Sequence, residues 1–64
     1  MGIAAEESSG KQPFPLLCRV VHASWGEGQV MRYEGDKIVI LFDEVGYKNL
    51  AVEVVIRRRL LRPV

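Results

Sequence analysis

The sequence predicts a small all-β domain of five short strands, and three observations support this fold class. The chain has 64 residues, which allows one domain with a small core. A dense run of β-forming residues from Lys37 to Phe42 follows a Gly35-Asp36 pair suited to a two-residue hairpin loop. Other strand-like segments are separated by turns rich in glycine. Closure of the sheet into a barrel would remove exposed edges, and five short strands in about 50 residues fit an SH3-like or Tudor-like barrel by their spacing.

The N-terminal segment differs in composition from the rest of the chain. Residues 1–12 are small, polar and charged, which predicts a flexible linker or disordered tail before a folded domain over residues 13–64. Prolines on both sides of Phe14 hold it extended, because the residue before a proline is disfavoured in the α region. We expect the Phe14 ring to pack against the barrel.

The strands are assigned from apolar alternation and from the turn residues between them. Gly26 and Gly28 are expected to supply backbone angles closed to other residues, and Gly46 to hold a positive φ in a later turn. A bulge in the second strand would let Val30 and Tyr33 both turn inward. The predicted strands are Leu16 to His22, Gln29 to Tyr33, Lys37 to Phe42, Tyr47 to Ala51 or Val52, and Leu60 to Arg62.

The segment before the last strand supports two interpretations. Its β-branched residues, with apolar positions alternating from Leu50 to Ile56, favour a strand. The need to redirect the chain favours a brief helical or 3₁₀ turn near Val54 to Arg58. We predict the short helical turn, with residues 52–58 as the part of the fold that the sequence determines least.

The third strand is apolar on both of its faces. Ile38, Ile40 and Phe42 point one way by the period of two, and Val39 and Leu41 point the other way. A strand of this kind needs burial on both sides or a partner on the outer side. The outward residues of the first and third strands are Val21, Val39 and Leu41. Either the N-terminal linker or the segment from Val52 to Ile56 covers this patch, or it is a docking surface or an exposed edge that a partner strand could extend.

Composition argues against several functional classes. The formal net charge is +1, and the single cysteine, Cys18, can form neither an internal disulfide nor a zinc site by itself. The only histidine, His22, is expected to lie at a barrel edge and bond turn backbone, and Ser24 beside it lacks an oriented triad. No apolar stretch approaches a membrane span, and there is no secretion signal. We therefore expect no enzyme activity, metal, cofactor or membrane association.

Candidate binding residues fall into two groups. Trp25 is either a lid over one mouth of the barrel or an exposed anchor for a partner. Lys48 and the acidic Asp43-Glu44 turn would set charge complementarity. The predicted partner-binding residues are Trp25, Val39, Leu41, Tyr47 and Lys48. The alternative is nonspecific nucleic-acid binding through a C-terminal run that carries four arginines and no acid, Arg57, Arg58, Arg59 and Arg62.

Two segments carry a resemblance to a known family. The first, from Val20, reads VVHASWGEGQV, and the second, from Tyr33, reads YEGDKIVILFDEVGYK. Together they resemble the small Tudor-like domain at the C-terminus of bacterial superfamily 1 helicases of the UvrD and PcrA type. They are most similar to the tail of some bacterial RecQ-like helicases, in which the ending "GYK-x-L … LLRP" recurs. The resemblance covers residues 19–63, about 70% of the chain.

The resemblance implies a five-stranded Tudor-like or SH3-like barrel attached to an ATP-driven DNA helicase whose motor lies elsewhere. It also implies a bacterial module that takes part in DNA repair, and we expect this module to be monomeric and cytoplasmic. Its protein partner would be RNA polymerase or another repair protein, with duplex DNA contact as a further option. The sequence departs from the UvrD type after Leu50, where the chain is longer and more basic. That departure weakens the inference of polymerase contact in particular.

Overall fold

The structure, a computed structural model, describes residues 12–64. Five strands and one helix are formed there, which confirms the predicted number of strands. The predicted tail over residues 1–12 lies, except for Gln12, outside the described residues. In chain order the elements are β1 (Arg19–His22), β2 (Gly26–Glu34), β3 (Lys37–Phe42), β4 (Gly46–Ala51), α1 (Val52–Arg58) and β5 (Leu61–Pro63).

The five strands form one antiparallel sheet in the order β4-β3-β2-β1-β5. The first four strands pair as successive hairpins, and β5 returns to pair with β1, with His22 opposite Leu61. Over residues 12–64, β4 and β5 each have a single neighbour and do not pair with each other. The sheet is therefore open between its two outermost strands, and the predicted closure of the barrel is not seen.

Glycines fix the geometry of the hairpin turns. Gly26 and Gly46 each follow a three-residue turn and take φ values of 81° and 82°, a region in which a side chain would be strained. Gly35 opens the two-residue loop between β2 and β3 with φ of 58°, as predicted. A positive φ at only the first loop position is the type II′ pattern, whose twist matches that of the flanking strands.

Gly28 has a different role from the one predicted. Its φ is not in the positive region, and it lies inside β2, between Val20 of β1 and Phe42 of β3. A Cβ atom on Gly28 would lie 2.8 Å from Phe42 Cδ1 and 2.9 Å from Ile40 Cγ2. Gly28 is therefore needed for close packing of the Phe42 ring against the backbone. Because Gly28 belongs to the strand and not to the turn, β2 begins at Gly26, earlier than the predicted Gln29.

The predicted bulge in β2 is confirmed. The register with β3 shifts between Val30, which lies opposite Ile40, and Arg32, which lies opposite Val39. The extra residue restores Tyr33 to the inward face after Val30, as expected of a bulge. Val30 is fully buried, and Tyr33 is half-buried against the core.

The core lies on one face of the sheet, under α1. Phe42 is 1% exposed, which confirms its predicted core position, and Cys18 and Phe14 are half-buried against the same cluster. In β3 the cluster residues alternate with the period of two expected of a strand, and Val39 is buried as well, on the opposite face of the sheet. The buried cluster consists of Val20, Val30, Ile38, Ile40, Phe42, Val52, Val55 and Leu61.

The entry to the sheet is tied down by Tyr33. Its hydroxyl donates to the carbonyl of Phe14 at 2.7 Å, and the Phe14 amide donates back to the hydroxyl at 3.1 Å. β1 begins at Arg19 instead of the predicted Leu16, because a turn precedes it in which Leu17 has φ of 68°. That turn is closed by the Cys18 amide, which donates to the Pro15 carbonyl at 3.3 Å.

The ambiguous segment forms the helix α1, which is longer than the predicted turn. Val52 and Val55 are buried because they lie on the side of α1 that faces the sheet, and Glu53 and Arg57 are exposed on the opposite side. The helix ends at Arg59, which adopts the left-handed conformation. The last strand accordingly begins at Leu61, one residue later than predicted, and includes Pro63.

Candidate functional site

The side of the sheet opposite the core, called here the outer face, carries the first group of predicted binding residues. In β3, Leu41 lies on this face, with Gln29 of β2 and Tyr47 of β4 as its register partners. Val21 of β1 lies on the same face, opposite Arg62 of β5. The predicted division of β3 into an inward and an outward set of residues is therefore confirmed.

Exposure differs strongly among the outer-face residues. Tyr47 is 61% exposed, and Leu41 and Val21 are half-buried. Val39 is only 2% exposed, so its side chain offers little surface to a partner, and the partner-binding role assigned to it stays a prediction. It occupies the middle of the sheet, and Arg32 and Asn49 lie directly opposite it on the two neighbouring strands, where their side chains flank it.

Trp25 and Lys48 belong to a different part of the molecule from Tyr47 and Leu41. The indole of Trp25 stacks on the His22 ring at 4.4 Å between centroids and meets the Phe42 ring edge-on at 5.4 Å. Lys48 Nζ lies 5.1 Å from the centroid of the Trp25 ring. Trp25 therefore covers the end of the core, as in the lid interpretation. The five predicted partner-binding residues do not form one surface.

His22 fixes the turn that carries Trp25. Its Nδ1 atom accepts the backbone amides of Ser24 at 2.9 Å and Trp25 at 3.2 Å, so this nitrogen carries no proton. Burial lowers the pKa of His22, because desolvation disfavours the charged ring. The predicted bond from His22 to turn backbone is confirmed, and its contacts are those of a structural residue.

Arg19 joins β1 to two acidic groups. Its Nη2 donates to Asp43 Oδ2 at 2.7 Å, and its Nε donates to Glu27 Oε2 at 3.1 Å. The hydrogen bonds to Asp43 and then Glu27 raise the pKa of Arg19. Asp43, predicted to set charge complementarity with a partner, is thus engaged within the chain. Sequence reasoning missed this network because these three residues meet only through the register of three strands.

The arginine run is exposed to solvent. Arg57 and Arg58 form the last turn of α1, Arg59 ends it, and Arg62 lies in β5. All four are exposed, and no ion pair involves any of them within residues 12–64. In contrast, Arg19 and Arg32 both pair with carboxylates. The four arginines are therefore available to bind an anion.

Three further features of residues 12–64 concern a cleft, potential metal ligands and the length of the helix. An open cleft of about 320 Å³ lies at the start of α1, lined by Asp36, Ala51, Val52, Glu53 and Val54. No group of three or more His, Cys, Asp or Glu side chains within residues 12–64 is placed to hold a metal ion. Among the same residues, the one helix is too short to cross a membrane. No sequence pattern predicts the cleft, because it forms where the β2–β3 loop meets the helix.

No protein-family model matches the chain, and no curated protein shows significant similarity to it.

Proposed function

We propose that this domain is a non-catalytic accessory module that docks a protein partner, in the manner of the Tudor-like domains of bacterial DNA helicases. The observation that carries the proposal is the placement of Tyr47, a large aromatic residue that is 61% exposed on a regular strand. Tyrosine is among the residues that dominate binding hot spots. Half-buried Leu41 lies beside it and would supply the apolar floor of the contact.

The barrel-like architecture is part of this proposal. Support comes from β2, which pairs with β1 through Gly26 to Gln29 and with β3 from Gly28 to Glu34, across the bulge. A bulged strand shared in this way bends the sheet, as in SH3-like and Tudor-like barrels. In this interpretation, α1 lies across the gap between β4 and β5.

The partner would be RNA polymerase or a DNA-repair protein in the bacterial cytoplasm, with this domain as a monomer on its helicase. Titration of purified RNA polymerase into the isotope-labelled domain should change the NMR signals of Leu41 and Tyr47. Tyr47→Ala should weaken binding by about tenfold or more, as expected of a hot spot. Ile56→Ala is a matched control, because Ile56 is 46% exposed but lies on α1.

A repair protein should be titrated in the same way. Absence of any signal change at the outer face with either class of partner would contradict the proposal, as would equal effects of Tyr47→Ala and Ile56→Ala.

Nonspecific binding of duplex DNA is the second candidate function, favoured by the four exposed arginines that form no ion pair within residues 12–64. If all four contact phosphates, the logarithm of the binding constant should fall with the logarithm of salt concentration with a slope of about −3.6. Fluorescence anisotropy should show this slope, and a triple alanine variant at Arg57, Arg58 and Arg59 should reduce it to about −0.9.

Arg32→Ala is the control for DNA binding, since Arg32 is already paired with Glu34 and should leave the slope unchanged. DNA binding that does not depend on salt would rule out this function.

A further inference from the structure

The two edges of the sheet differ in how they are protected against pairing with another strand. β5 has three residues, of which Arg62 is charged and Pro63 lacks an amide hydrogen. Short length, charge and proline are the usual means of protecting an edge strand. β4 has six residues and no proline, and its register with β3 is continuous from Gly46 to Ala51. Its one charged residue, Lys48, is directed to the Trp25 ring. Within residues 12–64, the edge of β4 therefore has only the charge of Lys48 as protection, whereas β5 combines short length, charge and proline.

The hydrogen-bonding direction of each β4 residue follows from the β2–β3 hairpin. A two-residue loop makes Glu34 and Lys37 a hydrogen-bonded pair, so alternate β3 residues from Lys37 onward bond to β2. The bond from the Asp43 amide to the Glu27 carbonyl, 3.0 Å, continues this series. The intervening β3 residues, Ile38, Ile40 and Phe42, must then bond to β4.

The pairing of β4 agrees with this assignment. Ile38 lies opposite Leu50 and Ile40 opposite Lys48, and the Val52 amide donates to the Asp36 carbonyl at 2.9 Å in the same series. Lys48 and Leu50 thus bond to β3. Tyr47 and Asn49, in the non-bonded pairs, direct both their amide and carbonyl groups away from β3, toward the free edge.

Nothing else in the described part of the chain uses this edge. Within residues 12–64, no turn or loop hydrogen bond involves the backbone of residues 46–50. Tyr47 and Asn49 are both exposed to solvent. The free edge therefore presents two amides and two carbonyls, spaced as in an extended strand.

We propose that β4 binds its partner by strand addition: an extended segment of another protein pairs with Tyr47 and Asn49 and places a carboxylate opposite Lys48. This inference rests on the proposed docking function and specifies how it operates. Only an extended backbone matches four alternating donors and acceptors. A carboxylate is the complement of Lys48, the one charged residue of the strand.

A second copy of the chain fits this edge less well. Antiparallel self-pairing that used Tyr47 and Asn49 of both copies would place Tyr47 opposite Asn49 and Lys48 opposite the other Lys48. Like charges directly opposite each other are destabilising. A segment of another protein with an acidic residue at this position avoids that repulsion.

The test uses a short capped peptide of alternating threonine and valine with one central glutamate, added to the isotope-labelled protein. NMR should show signal changes at Tyr47 and Asn49, and hydrogen exchange at these two amides should slow by about tenfold or more at saturation. The same peptide with lysine in place of glutamate should bind more weakly.

Proline substitutions in β4 distinguish binding at its edge from binding at the outer face. Asn49→Pro removes an amide that points outward, so the sheet should remain folded and peptide binding should be lost. Lys48→Pro removes an amide bonded to β3 and should unfold the domain. If Asn49→Pro does not fold, slower hydrogen exchange of the Tyr47 and Asn49 amides in the peptide-bound wild-type protein still tests the proposal.

Three results would overturn strand addition. One is failure of the peptide to bind, and another is equal binding by Asn49→Pro. The third is self-association that Asn49→Pro abolishes, which would assign the edge to a second copy. None of these affects the outer-face titration with RNA polymerase, so failure of the edge and failure of the docking function can be told apart.

Discussion

Gly28→Ala tests the packing of the core most sharply. The new Cβ atom would lie 2.8 Å from Phe42 Cδ1, 2.9 Å from Ile40 Cγ2 and 2.9 Å from the Leu41 carbonyl oxygen. The carbonyl oxygen belongs to the backbone of the central strand and cannot move away cheaply. Overpacking of this kind costs about 1–3 kcal/mol. A domain of this length has a total stability of about 3–10 kcal/mol, so a loss of this size is a large share of the total and should be measurable.

Urea unfolding followed by Trp25 fluorescence gives the free energy of unfolding directly. The double variant Gly28→Ala, Phe42→Leu should lose about 0.5–1 kcal/mol less unfolding free energy than the two single variants lose together, because the closest contact is then removed. Contacts with Ile40 and the Leu41 oxygen remain, so recovery should be incomplete. A Gly28→Ala variant as stable as the wild-type protein would refute the packing of Phe42 against the β2 backbone.

Two further predictions concern the ends of the core. Tyr33→Phe removes both hydrogen bonds to Phe14 and should cost about 1–2 kcal/mol in urea unfolding; no loss would show that Phe14 is not held there. His22 has a lowered pKa, so the stability it contributes is present above its unfolded pKa of about 6.5 and lost as pH falls through the folded value. Because His22 is the only histidine, stability should begin to fall as the pH drops below about 6.5, by at most about 1.4 kcal/mol per pH unit, with a change in Trp25 fluorescence. Stability that stays constant below this pH would contradict the role of neutral Nδ1.

Local patterns in the sequence were sufficient for most of the strands. Period-two alternation placed Ile40 and Phe42 in the core, and Gly35 marked the hairpin loop, because both signals depend only on neighbouring residues. The helix boundaries were harder to predict, since α1 is rich in β-branched valine and is stabilised by burial of Val52 and Val55.

The candidate site was harder to predict from the sequence than the strands were. Exposure of Tyr47 and burial of Val39 differ although both lie on the outer face, because Val39 is in a central strand and Tyr47 in an edge strand. The stacking of Trp25 on His22 depends on a three-residue turn whose length the sequence did not define. To predict which β4 amides point outward, one must know the register of β3 with both β2 and β4.

Amide hydrogen exchange of the free domain tests the open edge of β4 most directly. The amides of Lys48 and Leu50 should be protected nearly as well as those of the buried strands, because they bond to β3. Those of Tyr47 and Asn49 should exchange at nearly unprotected rates. Equal protection at all four positions would show that this edge is already paired, and would contradict the docking mode inferred from it.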